Sequence, residues 1–184
     1  QQGNFPFIYV QLANHQAVIN EPVKNDRMVQ VRHAQLQNLS IPNTAMVVAI
    51  DNADPDDPQN IHPKNKQDIG KRLAIAARGI VYGEKITYSG PIFEKMTKEG
   101  NKLRLHFKHV GEGLVAKGDK PTGFALAGAD NEFVWADAII DGNTVVVSHP
   151  TIAQPENVRY GWSKNPPVNL YNKAGLPASP FKTD

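Results

Sequence analysis

Residues Ala45-Met46-Val47-Val48-Ala49-Ile50 form an unbroken apolar run, rich in β-branched side chains and closed by Asp51. A run this short and continuous predicts a strand buried on both faces, the condition of a strand inside a parallel sheet. Downstream, Ile69, Leu73, Ala76 or Ala77, and Ile80 recur at helical spacing, with Lys71, Arg72 and Arg78 off the stripe and Gly83 closing it. This pattern predicts a helix over 67–82. Upstream, 7–12 reads as a second buried strand and 26–36 as a helix with Met28, Val31 and Leu36 facing inward. The order β-α-β-α is the signature of a parallel sheet.

Between the second strand and its helix runs Asp57-Pro58-Gln59-Asn60-Ile61-His62-Pro63-Lys64-Asn65-Lys66. Pro63 suits the first helical position, which would set His62 beside the positive end of the helix, where a neutral, proton-accepting imidazole is favoured. A general base fits that place, and so does a plain helix cap.

From about Lys85 the period changes from helical to two. Leu103, Leu105 and Phe107 alternate with Lys102, Arg104, His106 and Lys108, and Ile139-Ile140-Asp141-Gly142-Asn143-Thr144-Val145 reads as a hairpin with Asp-Gly at its turn. Further short strands are expected at 86–88, 124–126, 133–136, 145–147 and 158–162, together an antiparallel sandwich.

The chain has 184 residues, a formal net charge of +2 and no cysteine, so disulfides and thiol catalysis are excluded. Basic residues are scattered and not interleaved with aromatics, which gives no case for nucleic acid. No apolar run approaches a membrane span. Asn38-Leu39-Ser40 is a sequon of the kind that arises by chance.

Four blocks, in order along the chain, resemble the sialate O-acetylesterase family of SGNH-type carbohydrate esterases. They are 5–13 (FPFIYVQLA), Arg32-His33-Ala34-Gln35, 60–74 (NIHPKNKQDIGKRLA), and the tail running from Val158-Arg159-Tyr160-Gly161-Trp162 through Asn169-Leu170-Tyr171-Asn172 to 175–181 (GLPASPF). The resemblance implies a serine esterase that removes O-acetyl groups from sialic acid (9-O-acetyl type) or related sugars, with acetylxylan or another polysaccharide as the alternative. It implies α/β architecture: residues 1–84 as the C-terminal part of an SGNH-type parallel-sheet domain carrying the catalytic His62, and 85–184 as a small β-sandwich whose tail packs back on it. A secreted, periplasmic or lysosomal location follows from the same resemblance, and no cofactor is expected.

The family's usual third triad member is an Asp three residues before the His, and that position here is Gln59, while Asn60 stands directly before Ile61-His62-Pro63. Asp51, Asp54, Asp56 and Asp57 all lie close enough in sequence to reach the imidazole, as does a backbone carbonyl in a Ser-His dyad; Asp57 is the favoured candidate. None of Ser40, Ser89, Ser148, Ser163 or Ser179 follows an α/β strand in a glycine-containing turn. Two parallel strands also leave open edges and uncovered faces. The expectation is therefore that an N-terminal part of the same esterase, as a separate chain or a missing segment, carries the nucleophile and acts on an O-acetylated carbohydrate. The other class open at this point is a non-catalytic sugar-binding or assembly module.

Other residues read as structural. Arg159, Tyr160, Trp162, Asn169, Tyr171 and Asn172 are expected to fix the tail between the two domains in preference to forming a sugar platform. Arg32 and Gln35 share a helical turn and suggest a structural pairing. His15, His33, His106, His109 and His149 lack metal-ligand spacing. Lys64, Lys66, Lys71 and Arg72 form a solvated basic face.

Overall fold

The computed structural model describes residues 3–184. Strand β1 (Phe7–Val10) pairs in parallel with β2 (Thr44–Val47), Phe7 against Thr44 through Val10 against Val47. Between them comes helix α1 (Arg27–Gln37), and after β2 a loop over 51–66 leads to helix α2 (Gln67–Ile80). The β-α-β-α order of the sequence reading is thus present, though only two strands pair in parallel.

The apolar run behaves as its composition demands. Ala45 and Val47 face Ala76, Ile69, Leu73 and Ile80 of α2, while Met46, Val48 and Ile50 face Tyr9, Leu36, Leu39, Ile92 and Val168 on the other side. Both faces of β2 are buried, and α2 presents the stripe its spacing gives.

Four expectations need correction. Phe7 is 57% exposed and Ile8, Tyr9 and Val10 are only half-buried, so β1 is not buried on both faces. Its edge opposite β2 is unpaired among the described residues, which leaves Phe7 beside solvent. In α1, Val31 is 48% exposed, whereas Val29 and Arg32 are fully buried. The helix turns Arg32 inward because backbone carbonyls wait there, and that polar demand outranks the apolar stripe. Residues 86–88 form no strand. Finally, α2 begins at Gln67, as the apolar spacing gives, so Pro63 lies ahead of the helix and not at its first position. Asn65 accepts from the Asp68 amide at 3.2 Å and donates to its carboxylate at 2.8 Å, and this reciprocal pair fixes the start.

The rest of the chain is antiparallel. Strands β3 (Ile92–Glu99), β4 (Lys102–Lys108), β8 (Asp137–Asp141) and β9 (Thr144–Ser148) make one sheet in the order β3-β4-β9-β8. A second sheet has the order β12-β10-β6-β7, from β6 (Phe124–Ala127), β7 (Val134–Trp135), β10 (Asn157–Tyr160) and β12 (Phe181–Lys182). Strands β5 (Leu114–Ala116) and β11 (Leu170–Asn172) form a small pair. The alternation in β4 sends Leu103, Leu105 and Phe107 inward, where they meet Val145 and Val147 of β9, Phe124 and Leu126 of β6, and Val158 and Tyr160 of β10. At the β8–β9 turn Asp141 pairs with Thr144, so Gly142 and Asn143 are the central residues; Gly142 supplies the positive φ of 58° that a two-residue hairpin needs.

The two parts of the chain are joined by polar contacts. Arg32, with no exposed surface, donates from Nε to Leu12 O (2.8 Å), from Nη2 to Ala13 O (2.7 Å) and Lys164 O (2.8 Å), and from Nη1 to Ser163 O (2.7 Å). Gln35 accepts from the Leu12 amide at 2.9 Å and donates to Val10 O at 3.2 Å, so the two residues act as staples and not as a pair. Gly90 passes so close to the tail that an added Cβ would meet Pro177 O at 1.9 Å.

Burial pulls the Arg32 guanidinium down to about 10, which leaves it charged at neutral pH. Replacing Arg32 by Leu should leave the carbonyls of Leu12, Ala13 and Ser163 without this donor, Lys164 O keeping the His15 amide, and lower the unfolding free energy by about 3–5 kcal/mol, read from urea titration. A change below about 1 kcal/mol would mean that water satisfies those carbonyls instead.

Candidate functional site

The loop over 51–66 leaves the C-terminal end of β2, which is where open α/β sheets place their ligands. Its stem is clasped. Asn52, buried, donates from Nδ2 to Asn65 O at 3.1 Å and so ties the first residues of the loop to the last. Lys64 reaches Asp54 at 2.8 Å across the same gap. Inside the clasp, turns repeat every third residue, with Asp57 N donating to Asp54 O (3.3 Å) and Asn60 N to Asp57 O (3.0 Å). The His62 amide then donates to Asn60 Oδ1 at 2.9 Å. Asn60 therefore holds the backbone turn that presents His62.

The imidazole of His62 is solvent-exposed, and so is the carboxylate of Asp57. Among the described residues neither side chain makes a hydrogen bond, to the other or to a third group. His62 lies five positions before the first residue of α2, with Pro63 buried between them. The loop, and not the helix start, presents the histidine.

The other loop acids divide sharply. Asp51 accepts a forked pair from Arg72, Nη1 to Oδ1 at 2.7 Å and Nη2 to Oδ2 at 2.8 Å, and a third bond from the Tyr171 hydroxyl at 2.9 Å. Arg72 Nη1 also donates to Val48 O at 2.8 Å, so one guanidinium binds the residue just after β2 and the first residue of the loop together. Burial pushes the Asp51 carboxyl up, but the bonds and charge of Arg72 and the Tyr171 bond outweigh it and hold the group below the usual range. Burial and the adjacent Asp51 charge push the Tyr171 hydroxyl up, which keeps it a donor. Asp54 is occupied by Lys64 and by the Asp56 amide. Asp51 and Asp54 are thus committed to holding the loop, and Asp56 and Asp57 are exposed.

A second loop leans on the first. After β1 the chain sends Asn14 Oδ1 to accept from the Ala53 amide (2.6 Å), His15 Nε2 to Gln59 O (2.9 Å), and the Gln16 amide to Pro58 O (2.6 Å). A carbonyl partner means that Nε2 of His15 carries the proton. Sequence reasoning set His15 aside for want of metal spacing; its actual partner is a backbone oxygen, for which spacing carries no signal. The aromatic tail is buried, Tyr160 completely and Tyr171 and Trp162 nearly so, which rules it out as a sugar platform and supports the fixing role.

No family model matches the chain. It is 32% identical to the sialate O-acetylesterase of Homo sapiens over 96% of its own length and 36% of that protein. With the sialate O-acetylesterase of Rattus norvegicus it shares 29% identity over 96% of this chain and 35% of that one. Among solved structures, a carbohydrate acetylesterase from Xanthomonas citri matches with a TM-score of 0.89 at 43% identity, over 97% of this chain and 41% of that one. The chain spans about a third of the length of the curated proteins and about two fifths of the crystallised one.

The Arg72–Asp51 pair makes an acid-side prediction. Because the folded carboxyl sits below its unfolded value, its contribution is present above about pH 4 and is lost as pH falls through the folded value. Thermal unfolding followed from pH 6 down to pH 3 should show a loss that Asp51→Asn flattens. Arg72→Met, which leaves Asp51 uncompensated, should cost about 3 kcal/mol at neutral pH.

Proposed function

Because the chain belongs to the sialate O-acetylesterase family, as a stretch of about a third of the named members' length, we propose that the complete protein is a carbohydrate O-acetylesterase with His62 as its general base. The observation that carries this reading is the placement of His62: exposed, within a clasped loop that follows the C-terminal end of a parallel strand. On this reading residues 1–84 are the C-terminal part of an SGNH-type α/β domain and 85–184 a sandwich domain whose tail braces it. Tyr171 from β11, bonded to Asp51, supports that bracing role.

The nucleophile is a serine on a segment outside this chain. Its Oγ attacks the acetyl carbonyl carbon while His62 takes the hydroxyl proton, and backbone amides stabilise the oxyanion. Collapse of the tetrahedral species releases the sugar hydroxyl, protonated by His62. Water, deprotonated in turn by His62, then cleaves the acetyl-enzyme to acetate. Asp57 is the acid assigned to orient the imidazole, since Asp51 and Asp54 are already engaged and Asp57 stands nearer in sequence than Asp56. The substrate is an O-acetylated sugar, sialic acid of the 9-O-acetyl type or a plant-type polysaccharide, and a secreted, periplasmic or lysosomal setting suits either. No helix among the described residues is long and apolar enough to cross a membrane.

In the complete protein, His62→Ala should reduce hydrolysis of p-nitrophenyl acetate by about three orders of magnitude or more while circular dichroism stays unchanged. Turnover near wild type would remove His62 from the reaction. Asp57→Asn should lower kcat more modestly through loss of tautomer control. An unaltered rate would turn the assignment to Asp56 or to a Ser-His dyad.

A further inference from the structure

Away from His62, the edge of the β12-β10-β6-β7 sheet carries a cavity of about 320 Å³ that the reaction scheme leaves unused. Trp135 of β7 forms one wall, Pro121 and Pro167 flank it, and the buried Phe124 lies beneath. Lys120 and Asp137 pair at 3.0 Å on its lip, both 63% exposed. Its surface is therefore flat and apolar inside and polar, with both signs of charge, at the mouth. An aromatic plane with hydroxyl-binding groups around it is the chemistry of a neutral pyranose ring, which has an apolar face and an equatorial belt of hydroxyls. The cancelling charges on the lip give no preference to an anionic sugar.

The Trp135 ring is held in advance. Its Nε1 donates to Asn20 O, so the indole loses little freedom when something stacks on it. Asn20 also connects this cavity to the His62 loop. It stands four residues after Gln16, whose amide is bonded to Pro58 O of that loop, and four residues of chain reach at most about 14 Å. The Asn165 side chain and backbone grip the intervening segment at Gln16 O and the Ile19 amide, so the connecting stretch lies along the protein surface.

We propose that the Trp135 cavity is an accessory subsite for a neutral sugar ring, and that the substrate is an acetylated oligosaccharide long enough to run from His62 along residues 16–20 to Trp135. This rests on the esterase reading above and adds the class of substrate to it. Trp135 takes no part in bond breaking; it sets which acetylated chains are held long enough to react.

The test uses the complete esterase with two substrates, acetylated xylotetraose and p-nitrophenyl acetate. Trp135→Ala should raise KM for the tetrasaccharide about tenfold with kcat little changed, and leave both constants for p-nitrophenyl acetate as in the wild type. Trp135→Phe, which keeps a stacking plane, should recover most of the loss. Equal effects on both substrates, or none on the tetrasaccharide, would overturn the subsite. If the alanine variant fails to fold, Asp137→Ala at the exposed lip must give the same selective rise in KM or the proposal falls. Failure of the esterase reading would look different: His62→Ala would leave the hydrolysis of both substrates intact.

Discussion

The buried guanidinium of Arg32 is the constraint around which this chain is arranged. A charge without exposed surface is tolerable only when polar atoms surround it, and here the atoms are carbonyls of Leu12, Ala13, Ser163 and Lys164. Those oxygens come from two stretches far apart in sequence. Arg32 therefore fixes the turn after β1 and the turn after β10 against one helix. The loop after β1 inherits its path from that anchor, and through His15, Gln16 and Asn14 it supports the loop that presents His62. A lysine could not replace it, because a single ammonium lacks the spread of donors that reaches both turns.

The 51–66 loop shows the same division of labour in its acids. Asp51 and Asp54 face cations and amides and make the loop's frame, so they have no spare bonds for chemistry. The two carboxylates that stay exposed lie between the clasped ends. Clasping and exposed acids are thus separated along a stretch in which composition alone shows only a run of aspartates.

How much of this the sequence displayed depended on whether burial was apolar and regular. The run 45–50 and the stripe Ile69, Leu73, Ala76, Ile80 were legible because each side chain there answers to one apolar neighbour surface. The alternation in β4 and the Gly142 turn were legible for the same reason. Strand β3 was not, since a bulge between Phe93 and Lys95 shifts its register and breaks the period of two. The inward face of α1 was misjudged because a buried arginine looks like a surface residue to any apolar count. Pro63 was misplaced as the first helical residue, because Asn65 and Asp68 bond to each other around the true start at Gln67. The placement of His62 on the loop after β2 was legible, but its detachment from the helix end was not.

The bonds of Arg32 also bear on how such a protein comes off the ribosome. Its acceptors at Ser163 and Lys164 are 131 and 132 residues away in sequence, and Gln11 is bonded to Ser179, 168 residues on. Until those residues have been synthesised, Arg32 has only the carbonyls of Leu12 and Ala13, and the Gln11 amide only the Arg32 carbonyl, so each lacks part of its native bonding. Completion of the polar interior of this early segment then waits for residues 163–179, because long-range contacts form only after both partners exist. A nascent chain stalled before residue 163 should accordingly be a client for holding chaperones, however much of its hydrophobic sequence has already emerged.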